Sequence, residues 1–353
     1  MEYFMKKSIF LFIVLILTAG LVFAQSNDGT VTQNGNDNDG DVTQTGNLNT
    51  AVADQINGDR NSADVDQNGA SNEAYLTQGM TVGYYSSYGT TTTDMISDDN
   101  SATINQVGDA NTVDFLQVGE ANVGSISQAG NGNTSYAYTG WAGDWWGFGG
   151  VVASLYSDNS TVNISQTGND HYAAVWQYGG NLNDVTITQT LNDNYSSIAQ
   201  GFIYDDLNYD FTNPIYNVEN NDASVAQYGV DNSLRLFQLG DDNSFDLIQN
   251  GDINTVGGRG LSGLEAKRNG YFTQDGNRNL FTGVQNDGAT LDHASYQNGD
   301  DNIIDLTQGE DDLGLIQQDG DNNSALLLQT GTGHSGTIVQ TGNMNDAVVT
   351  QQD

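Results

Sequence analysis

Apolar and polar residues alternate along short stretches of this chain, and the alternation restarts about every eleven residues. After Asn111, for example, the residues at steps of two are Val113, Phe115 and Gln117, whereas the residues between them are mostly polar. A period of two over seven residues predicts a β-strand that buries one face. The segments between strands, such as VGDA at 107–110, carry the Gly that a tight reversal with positive φ favours.

The repeating unit has the pattern N-x5-Q-x-G-x-x, so its strand often begins after asparagine and ends in glutamine. Two units, about 22 residues, make one coil of two facing strands, which predicts an all-β, two-strand-per-coil β-solenoid. Stacked coils place equivalent strands in register about 4.8 Å apart, so equivalent residues form columns. A buried amide side chain has both a donor and an acceptor, and each column is therefore predicted to be a hydrogen-bonded ladder. The predicted ladder residues are Gln33, Gln44, Gln106, Asn111, Gln117, Asn122, Gln128, Gln166, Gln177, Gln227, Asn232, Gln238, Asn243, Gln249, Gln329, Gln340, Asn345 and Gln351.

Four stretches interrupt the pattern and are predicted to be loop insertions, near 79–99, 129–159, 201–220 and 250–267. Three weaker strand patterns occur within them, at 83–89, 133–139 and 254–260. Adding these to the strands that end in glutamine gives about 26 strands, or roughly 13 coils. On that count each insertion follows an even-numbered strand, so the loops are expected to leave the stack at one edge.

The N-terminal residues form a separate segment. Two lysines precede an apolar run at 8–23, and Val22 and Ala24 have the small side chains that a signal peptidase accepts. Residues 1–24 are therefore predicted to be a signal peptide, and residues 25–353 the solenoid of the exported chain. No later stretch of about 18 apolar residues suggests a membrane span.

Composition excludes several kinds of protein. Leu, Ile, Val and Phe are too few for one large apolar core, so backbone pairing and repetition are expected to supply the stability. The chain has no Cys, and hence no disulfide framework. A formal net charge of −37 makes nucleic acid a poor partner.

The sequence offers no catalytic motif. It contains three scattered His residues and lacks HExxH, G-x-S-x-G and a phosphate-binding loop. His171 and His334 stand at the Asn position of the repeat, where each is expected to be a variant rung. The carboxylates lie mainly in turns or on outward positions, whereas acid–base catalysis needs a sequestered pair. We therefore expect neither an enzyme nor a cofactor.

Acidic turns and one aromatic segment are the remaining candidates for binding. The turns GDDN and GDNN would stack Asp300 over Asp321, where oxygen ligands suit calcium. The simpler interpretation is solvated charge that keeps the chain soluble and delays edge pairing. Trp141, Trp145 and Trp146 form an aromatic group that either binds a partner such as a surface glycan or folds over its own solenoid.

The extended pattern N-x5-Q-x-G-x-x-N-x5-Q resembles the curlin repeat of curli fibre subunits, whose unit begins with Ser. Ser160 to Gln166 supplies that Ser and continues as QTGNDHYAAVWQ, with His171 where the family has Asn. The resemblance covers nearly all of residues 25–353. It implies a secreted β-solenoid that polymerises into extracellular functional amyloid in biofilms of a Gram-negative bacterium. It also implies export through an outer-membrane channel and seeding by a nucleator subunit.

The chain differs from the usual curlin subunit in having about twice as many coils, frequent Asn at the leading Ser position, and long insertions. These differences leave open whether it is a major subunit, a nucleator or a specialised member. The register begins at Asn27 and ends at Gln351, so we expect no terminal caps and head-to-tail stacking of copies. The alternative is a monomeric β-solenoid adhesin, or a glycan- or ice-binding surface protein.

Overall fold

The structure is a computed structural model of the chain, and it describes residues 26–86, 89–95, 97–139, 157–178, 180–201, 218–257, 272–292 and 294–353. The predicted signal peptide lies outside these residues, as do Trp141, Trp145 and Trp146. The regular secondary structure described is all β-strand and lies mainly in two long parallel sheets, which confirms the predicted β-solenoid. In these ranges no helix is long and apolar enough to cross a membrane.

The two long sheets, named sheet A and sheet B, receive successive rungs of the chain in alternation. Each coil therefore gives one rung to each sheet. Sheet A consists of β1 (Asp28–Asn34), β3 (Thr50–Ile56), β5 (Glu73–Gln78), β9 (Thr112–Gln117), β11 (Thr134–Thr139), β14 (Tyr172–Tyr178), β17 (Tyr195–Gly201), β19 (Ser233–Leu239), β21 (Thr255–Val256), β22 (Phe272–Asp275), β24 (Thr290–Leu291), β25 (Tyr296–Asn298), β27 (Leu313–Asp319) and β29 (Ser335–Thr341). Sheet B consists of β2 (Asp39–Asn47), β4 (Ser62–Ala70), β8 (Ser101–Val107), β10 (Val123–Ala129), β13 (Thr161–Asn169), β16 (Asp184–Asn192), β18 (Asp222–Val230), β20 (Ser244–Asn250), β23 (Leu280–Asn286), β26 (Ile303–Gln308), β28 (Ser324–Thr330) and β30 (Asp346–Gln352).

Two rungs of sheet A are each divided into two short strands. β21 and β22 are halves of one rung because both pair with β19, and β24 and β25 are halves of the next because both pair with β27. The fourteen strands of sheet A therefore make twelve rungs, which matches the twelve strands of sheet B. The described residues thus form twelve coils, fewer than the roughly 13 that the sequence pattern predicted.

The difference arises from the weaker strand patterns. Residues 133–139 do contain a full rung, β11. In the described part of 254–260, β21 begins a rung, which β22 completes after the insertion. The described residues of 83–89 belong to an antiparallel pair, β6 (Met80–Ser86) with β7 (Gly89–Met95), outside both long sheets. The predicted count was wrong because one rung was counted twice and a hairpin was counted as a rung.

The insertions interrupt the chain on sheet A. Three follow β5, β11 and β17, and the fourth divides the rung of β21 and β22. These rungs are odd-numbered along the chain, not even-numbered as predicted, but the first three insertions do leave from the same end of sheet A strands. Near the second insertion, β12 (Ser157–Asp158) pairs with β15 (Gly180–Asn181) in a small parallel sheet. Sheet B runs through all twelve levels without a divided rung.

The core between the sheets contains small and medium apolar side chains and the amides of the repeat. On β9, Val113, Phe115 and Gln117 are buried, and the residues between them are half-buried. The turn glycines permit close stacking of coils, because a Cβ at Gly69, where φ is 141°, would overlap the carbonyl oxygen of Gly108 in the next coil. The turn pattern of the sequence therefore reflects backbone contact between coils as well as positive φ.

Candidate functional site

One glutamine column runs the full length of sheet B. In every coil the Nε2 atom of glutamine donates to the Oε1 atom of the next glutamine toward the C-terminus, as Gln67 does to Gln106 at 2.8 Å and Gln106 to Gln128 at 3.0 Å. The second Nε2 hydrogen reaches across the core, since Gln128 also donates to the backbone oxygen of Thr112 at 3.1 Å. The column contains Gln44, Gln67, Gln106, Gln128, Gln166, Gln189, Gln227, Gln249, Gln285, Gln308, Gln329 and Gln351. It therefore holds neighbouring coils in register and also ties sheet B to sheet A.

The glutamine column of sheet A has one gap, at Thr139. Register places Thr139 between Gln117 and Gln177, and its hydroxyl donates to the backbone oxygen of Leu116 at 3.3 Å. Among the described residues no donor reaches the buried Oε1 atom of Gln177. The two unbroken parts of the column are Gln33, Gln55, Gln78 and Gln117, then Gln177, Gln200, Gln238, Gln274, Gln297, Gln318 and Gln340. The sequence shows a strand pattern at 133–139 that keeps the register without glutamine, but it does not show that Oε1 of Gln177 lacks a donor as a result.

The asparagine columns bond differently from the glutamine columns. The Oδ1 atom of each Asn accepts the backbone N–H of the Asn one coil further on, as Asn72 does from Asn111 at 3.0 Å. The Nδ2 atom of Asn111 donates to the carbonyl oxygen of Gly130 in the next coil at 2.9 Å. The same backbone contact joins Asn100 to Asn122, Asn194 to Asn232, Asn221 to Asn243, and Asn323 to Asn345. Each Asn thus bonds to the turn of the following coil.

His171 takes an Asn position in the column beside sheet A. Its Nδ1 atom faces the backbone N–H of Asn194 at 3.3 Å, and its Nε2 atom faces the carbonyl oxygen of Thr167 at 3.2 Å. Nδ1 must therefore accept and Nε2–H must donate, which fixes a neutral imidazole and its tautomer. Burial lowers the pKa of His171, in agreement with these contacts.

His334 occupies the same column in the last coil but has different neighbours. Its Nδ1 atom lies 3.0 Å from Oδ1 of Asp312, and its Nε2 atom lies 3.1 Å from Oδ1 of Asp353. The Asp312 side chain is fully buried at the Asn position of the preceding coil, where Oδ1 also accepts the backbone N–H of His334 at 2.7 Å. The sequence pattern placed His334 at this position but did not identify Asp312 as its partner.

The acidic turns use their carboxylates to bond the backbone of an adjacent coil. Oδ1 of Asp300 accepts the N–H of Asn277 at 2.9 Å, and Oδ1 of Asp321 accepts the N–H of Asp300 at 3.0 Å. Register therefore does stack the two calcium candidates. Within the residues that the structure describes, no group of three or more acidic or His side chains is arranged to hold a metal ion.

Two arginines make ion pairs between coils that sequence analysis did not find. Arg60 contacts both carboxylate oxygens of Asp99 at 2.6 Å, and Arg278 contacts both of Asp301 at 2.7 Å. These hydrogen bonds lower the pKa of Asp99 and Asp301. The side chains are about half exposed, so water screens each pair and its contribution to stability is expected to be small.

The first and last coils have open edges. In the described part of the chain, β1 and β2 pair only with β3 and β4, and β29 and β30 only with β27 and β28. The side chain of Val31, which lies on the inward face of β1, is 41% exposed, and Ala347 and Val349 of β30 are only partly buried. Both edges therefore leave unpaired strand and incompletely covered core.

Comparison with known proteins finds one family. The curlin associated repeat matches residues 58–83, 158–190, 219–256, 309–335 and 320–352. These segments lie in the early, middle and late coils, and several span both a sheet A rung and a sheet B rung. A search of curated proteins finds no match to the chain.

Proposed function

The chain belongs to the curlin repeat family, a family of structural and non-enzymatic proteins, and from this premise we propose that it is a secreted subunit that stacks head to tail into curli-like amyloid fibres. The observation that carries the proposal is the pair of open edges, which continue the repeat on both sheets. Extracellular fibres of this kind would contribute to biofilm matrix and adhesion.

The hydrogen-bonding groups of the two edges are complementary. At the C-terminal edge, Nε2 of Gln351 donates to the oxygen of Ser335 at 3.1 Å and has a second hydrogen for another acceptor. At the N-terminal edge, no described residue donates to Oε1 of Gln44 in the same column. A second copy stacked in register would bring Gln351 of one copy to Gln44 of the other, and would repeat the contact that Gln329 makes with Gln351 at 2.8 Å.

The asparagine columns are complementary in the same direction. Asn345 N donates to Oδ1 of Asn323, and Asn61 N donates to Oδ1 of Asn38 in the same column. Continued in this direction, Oδ1 of Asn345 would accept the backbone N–H of Asn38 of the next copy. Donors of one edge meet acceptors of the other only when both copies point the same way. Two like edges would place donor against donor and acceptor against acceptor, so head-to-head contacts are disfavoured.

Stacking also completes the core. Each joint would cover Val31 with the side chains of the preceding copy and Val349 with those of the following copy. A buried amide without a partner costs about 1–3 kcal/mol, so an incoming strand that offers matching amides is favoured over one out of register. The mechanism proposed is therefore templated addition, in which the exposed rung selects the register of the next copy.

The remaining partners are proposed from the family. An outer-membrane channel would export the chain and a nucleator subunit would start assembly at the cell surface, as the resemblance implies. The joint residues of this chain act after export, because stacking needs folded coils. Glycan binding by Trp141, Trp145 and Trp146 is a further proposal and concerns residues outside the described ranges.

Electron microscopy and fibre X-ray diffraction of the purified chain test the proposal. We expect unbranched fibres with a meridional spacing of about 4.8 Å. A concentrated sample that remained monomeric for days without binding thioflavin would contradict it. The capping variant Val348→Pro sharpens the test. Val348 pairs in register with Leu326, and Ser324, two residues before Leu326, donates its N–H to Asn345 O of the next coil at 2.8 Å. N–H groups two residues apart on a strand point the same way, so the N–H of Val348 faces the open edge.

Proline at 348 would thus remove an N–H at the open edge and place a ring against the next copy without breaking an existing bond of the sheet. Val348→Ala is the matched control, since its side chain faces outward and keeps the N–H. We expect the alanine variant to assemble like the wild type and the proline variant to stop growth at its C-terminal edge. Equal assembly of both variants would contradict joining through β30.

A further inference from the structure

We infer that Tyr172 and Tyr195 form an oxidative cross-linking site, at which an external one-electron oxidant joins the two phenol rings into dityrosine. Both residues belong to one copy and lie on neighbouring rungs of sheet A. The inference therefore goes beyond the proposed fibre and does not depend on contact between copies. It assigns a covalent bond between coils to a chain that has no Cys to supply one.

The register of sheet A brings the two rings together. Tyr172 begins β14 and Tyr195 begins β17, and the two residues are direct partners in this parallel pair of strands. Both side chains lie on the outer face and are half-buried, whereas the next residues, Ala173 and Ser196, are buried on the core side. Register partners on neighbouring strands stand about 4.8 Å apart. The two phenols are therefore neighbours that solvent reaches.

The rings of Tyr172 and Tyr195 are stacked. Their centroids lie 4.9 Å apart and their planes are inclined by only 3°. Because the rings also extend from equivalent backbone positions, each ortho carbon of one ring has its counterpart in the other at a similar separation. Coupling of two tyrosines takes place at these ortho carbons, beside the phenol oxygen. Rotation about the side-chain bonds would bring one pair of ortho carbons into bonding contact.

Arg235 holds the stacked pair from the other side. It lies on β19, which pairs with the edge of β17 opposite to β14. Its guanidinium carbon is 5.4 Å from the centroid of the Tyr195 ring, which is a cation–π distance. In the part of the chain that the structure describes, the ring that contacts Tyr195 is that of Tyr172 alone. Tyr195 is thus kept between a cation and one ring to which it can be coupled.

A second ring near Tyr172 is less well placed for coupling. The centroids of Tyr136 and Tyr172 are 5.8 Å apart, and their planes are inclined by 49°. Tyr136 pairs in register with Ala174, so its ring reaches Tyr172 diagonally across the strands. The ortho carbons of these two rings do not share an orientation. Tyr195 is therefore the favoured coupling partner of Tyr172.

The coupling reaction balances with a peroxide as the oxidant. A haem peroxidase uses one molecule of hydrogen peroxide to remove one electron and one proton from each phenol hydroxyl. The two tyrosyl radicals join through a C–C bond between one ortho carbon of each ring. Each of these carbons then loses its hydrogen as a proton, and each phenol oxygen regains one. The peroxide accepts the two electrons and two protons that leave the chain and becomes two molecules of water.

The experiment treats the dilute, unassembled full chain with hydrogen peroxide and a haem peroxidase, which is first shown to couple free tyrosine. Isotope-labelled and unlabelled chains are mixed in equal amounts, and proteolytic fragments are analysed by mass spectrometry. We expect a fragment pair that joins Tyr172 to Tyr195 and lacks two hydrogens, with both halves labelled or both unlabelled. It should be more abundant than the pair that joins Tyr136 to Tyr172. Halves of mixed label would show coupling between copies and contradict the inference.

Tyr195→Phe is the decisive variant, because it keeps the stacked ring and removes the hydroxyl at which the radical forms. We expect this variant to lose the joined fragment pair. Tyr75→Phe is the matched control, since Tyr75 is 41% exposed on the same face of sheet A and no ring among the described residues contacts it. The control should give the joined pair at the wild-type yield.

The cross-link should also change the stability of the chain. A bond between coils restricts the unfolded chain, as a disulfide does. Oxidised wild type should therefore unfold at a higher urea concentration than untreated wild type, whereas oxidised Tyr195→Phe should not show this rise. Oxidised wild type that lacked the pair joining Tyr172 to Tyr195, with or without other dityrosines, would overturn the inference and leave the proposed fibre unaffected.

Discussion

The Nδ1 atom of His171 accepts a hydrogen bond from the backbone N–H of Asn194, so a buried histidine replaces the carbonyl oxygen of an asparagine side chain. Only the neutral imidazole can do this. Protonation would set N–H against N–H inside a column that is closed to water, since His171 is 1% exposed.

The first prediction is therefore an acid-dependent loss of stability at His171. Its pKa is lowered in the folded chain by burial, so the folded state binds the proton less readily than the unfolded state. The contribution to stability is present above the unfolded pKa, near 6.5, and is lost as pH falls below that value toward the folded pKa. Urea unfolding of unassembled chain across this range should show the loss in the wild type and a smaller one in His171→Asn. Parallel pH curves for the two proteins would disprove it.

A second prediction concerns the gap in the sheet A column. Thr139→Gln should give Gln177 Oε1 its missing donor and connect the two parts of the ladder, with a gain of about 1 kcal/mol in the free energy of unfolding. Thr139→Val has no amide to offer and should give no such gain. The urea midpoints of the two variants provide the comparison, and a midpoint for Thr139→Gln no higher than that of Thr139→Val would refute the prediction.

The free energy of unfolding that is lost when a glutamine is replaced by alanine should depend on the position of that glutamine along the ladder. Gln227→Ala would remove the acceptor of one Nε2–H of Gln189 and the donor to the buried Oε1 atom of Gln249, and the loss in the free energy of unfolding should exceed about 2 kcal/mol. Gln351→Ala removes the acceptor of Gln329 and the donor to the backbone oxygen of Ser335, but at a half-exposed edge that water reaches, so its cost in the unassembled chain should stay below about 1 kcal/mol. Fibre growth should be slowed by Gln351→Ala despite its mild effect on unfolding. Equal unfolding costs would show that the ladder is not cooperative.

Substitutions at two turn glycines distinguish the cost of backbone strain from the cost of steric overlap. Gly333 has φ of 74° and nothing within 4 Å of a built Cβ, so Gly333→Ala should cost about 1 kcal/mol through its left-handed backbone alone. Gly69→Ala would add overlap with the carbonyl oxygen of Gly108, and it should destabilise the chain by at least several times as much. Thermal unfolding of both variants measures the difference. Similar melting temperatures would mean that neighbouring coils can move apart at little cost.

The sequence predicted the fold through register, because a period of two and a spacing of eleven determine which residues are buried and which lie in one column. It assigned Gln106 and Gln128 to one column and Gln117 to the other, and the structure has this arrangement. It could not show that Gln274 completes the rung begun at Thr255, because an insertion separates them. The period of two in 83–89 is equally suited to a hairpin and to a solenoid rung.

Contacts between coils were predicted only where the repeat itself supplied both partners. Arg60 and Asp99 are 39 residues apart in the chain, and an insertion alters the spacing between their turns. Asp312 lies 22 residues before His334, but an acidic residue at an Asn position shows its partner only when the coils are stacked. Residues that depart from the repeat, such as Asp312 and His334 at Asn positions, thus make contacts that the periodic pattern alone does not predict.

The uniform direction of the glutamine amides has an electrical consequence. In both columns one Nε2–H of each bonded glutamine points toward the C-terminal end of the stack, so these components of the amide dipoles are parallel and add, as peptide dipoles do in a helix. The positive pole lies at the edge formed by β29 and β30, and the negative pole lies at the edge formed by β1 and β2. A filament of such copies would be polarised along its axis, and an applied electric field should orient its short fragments.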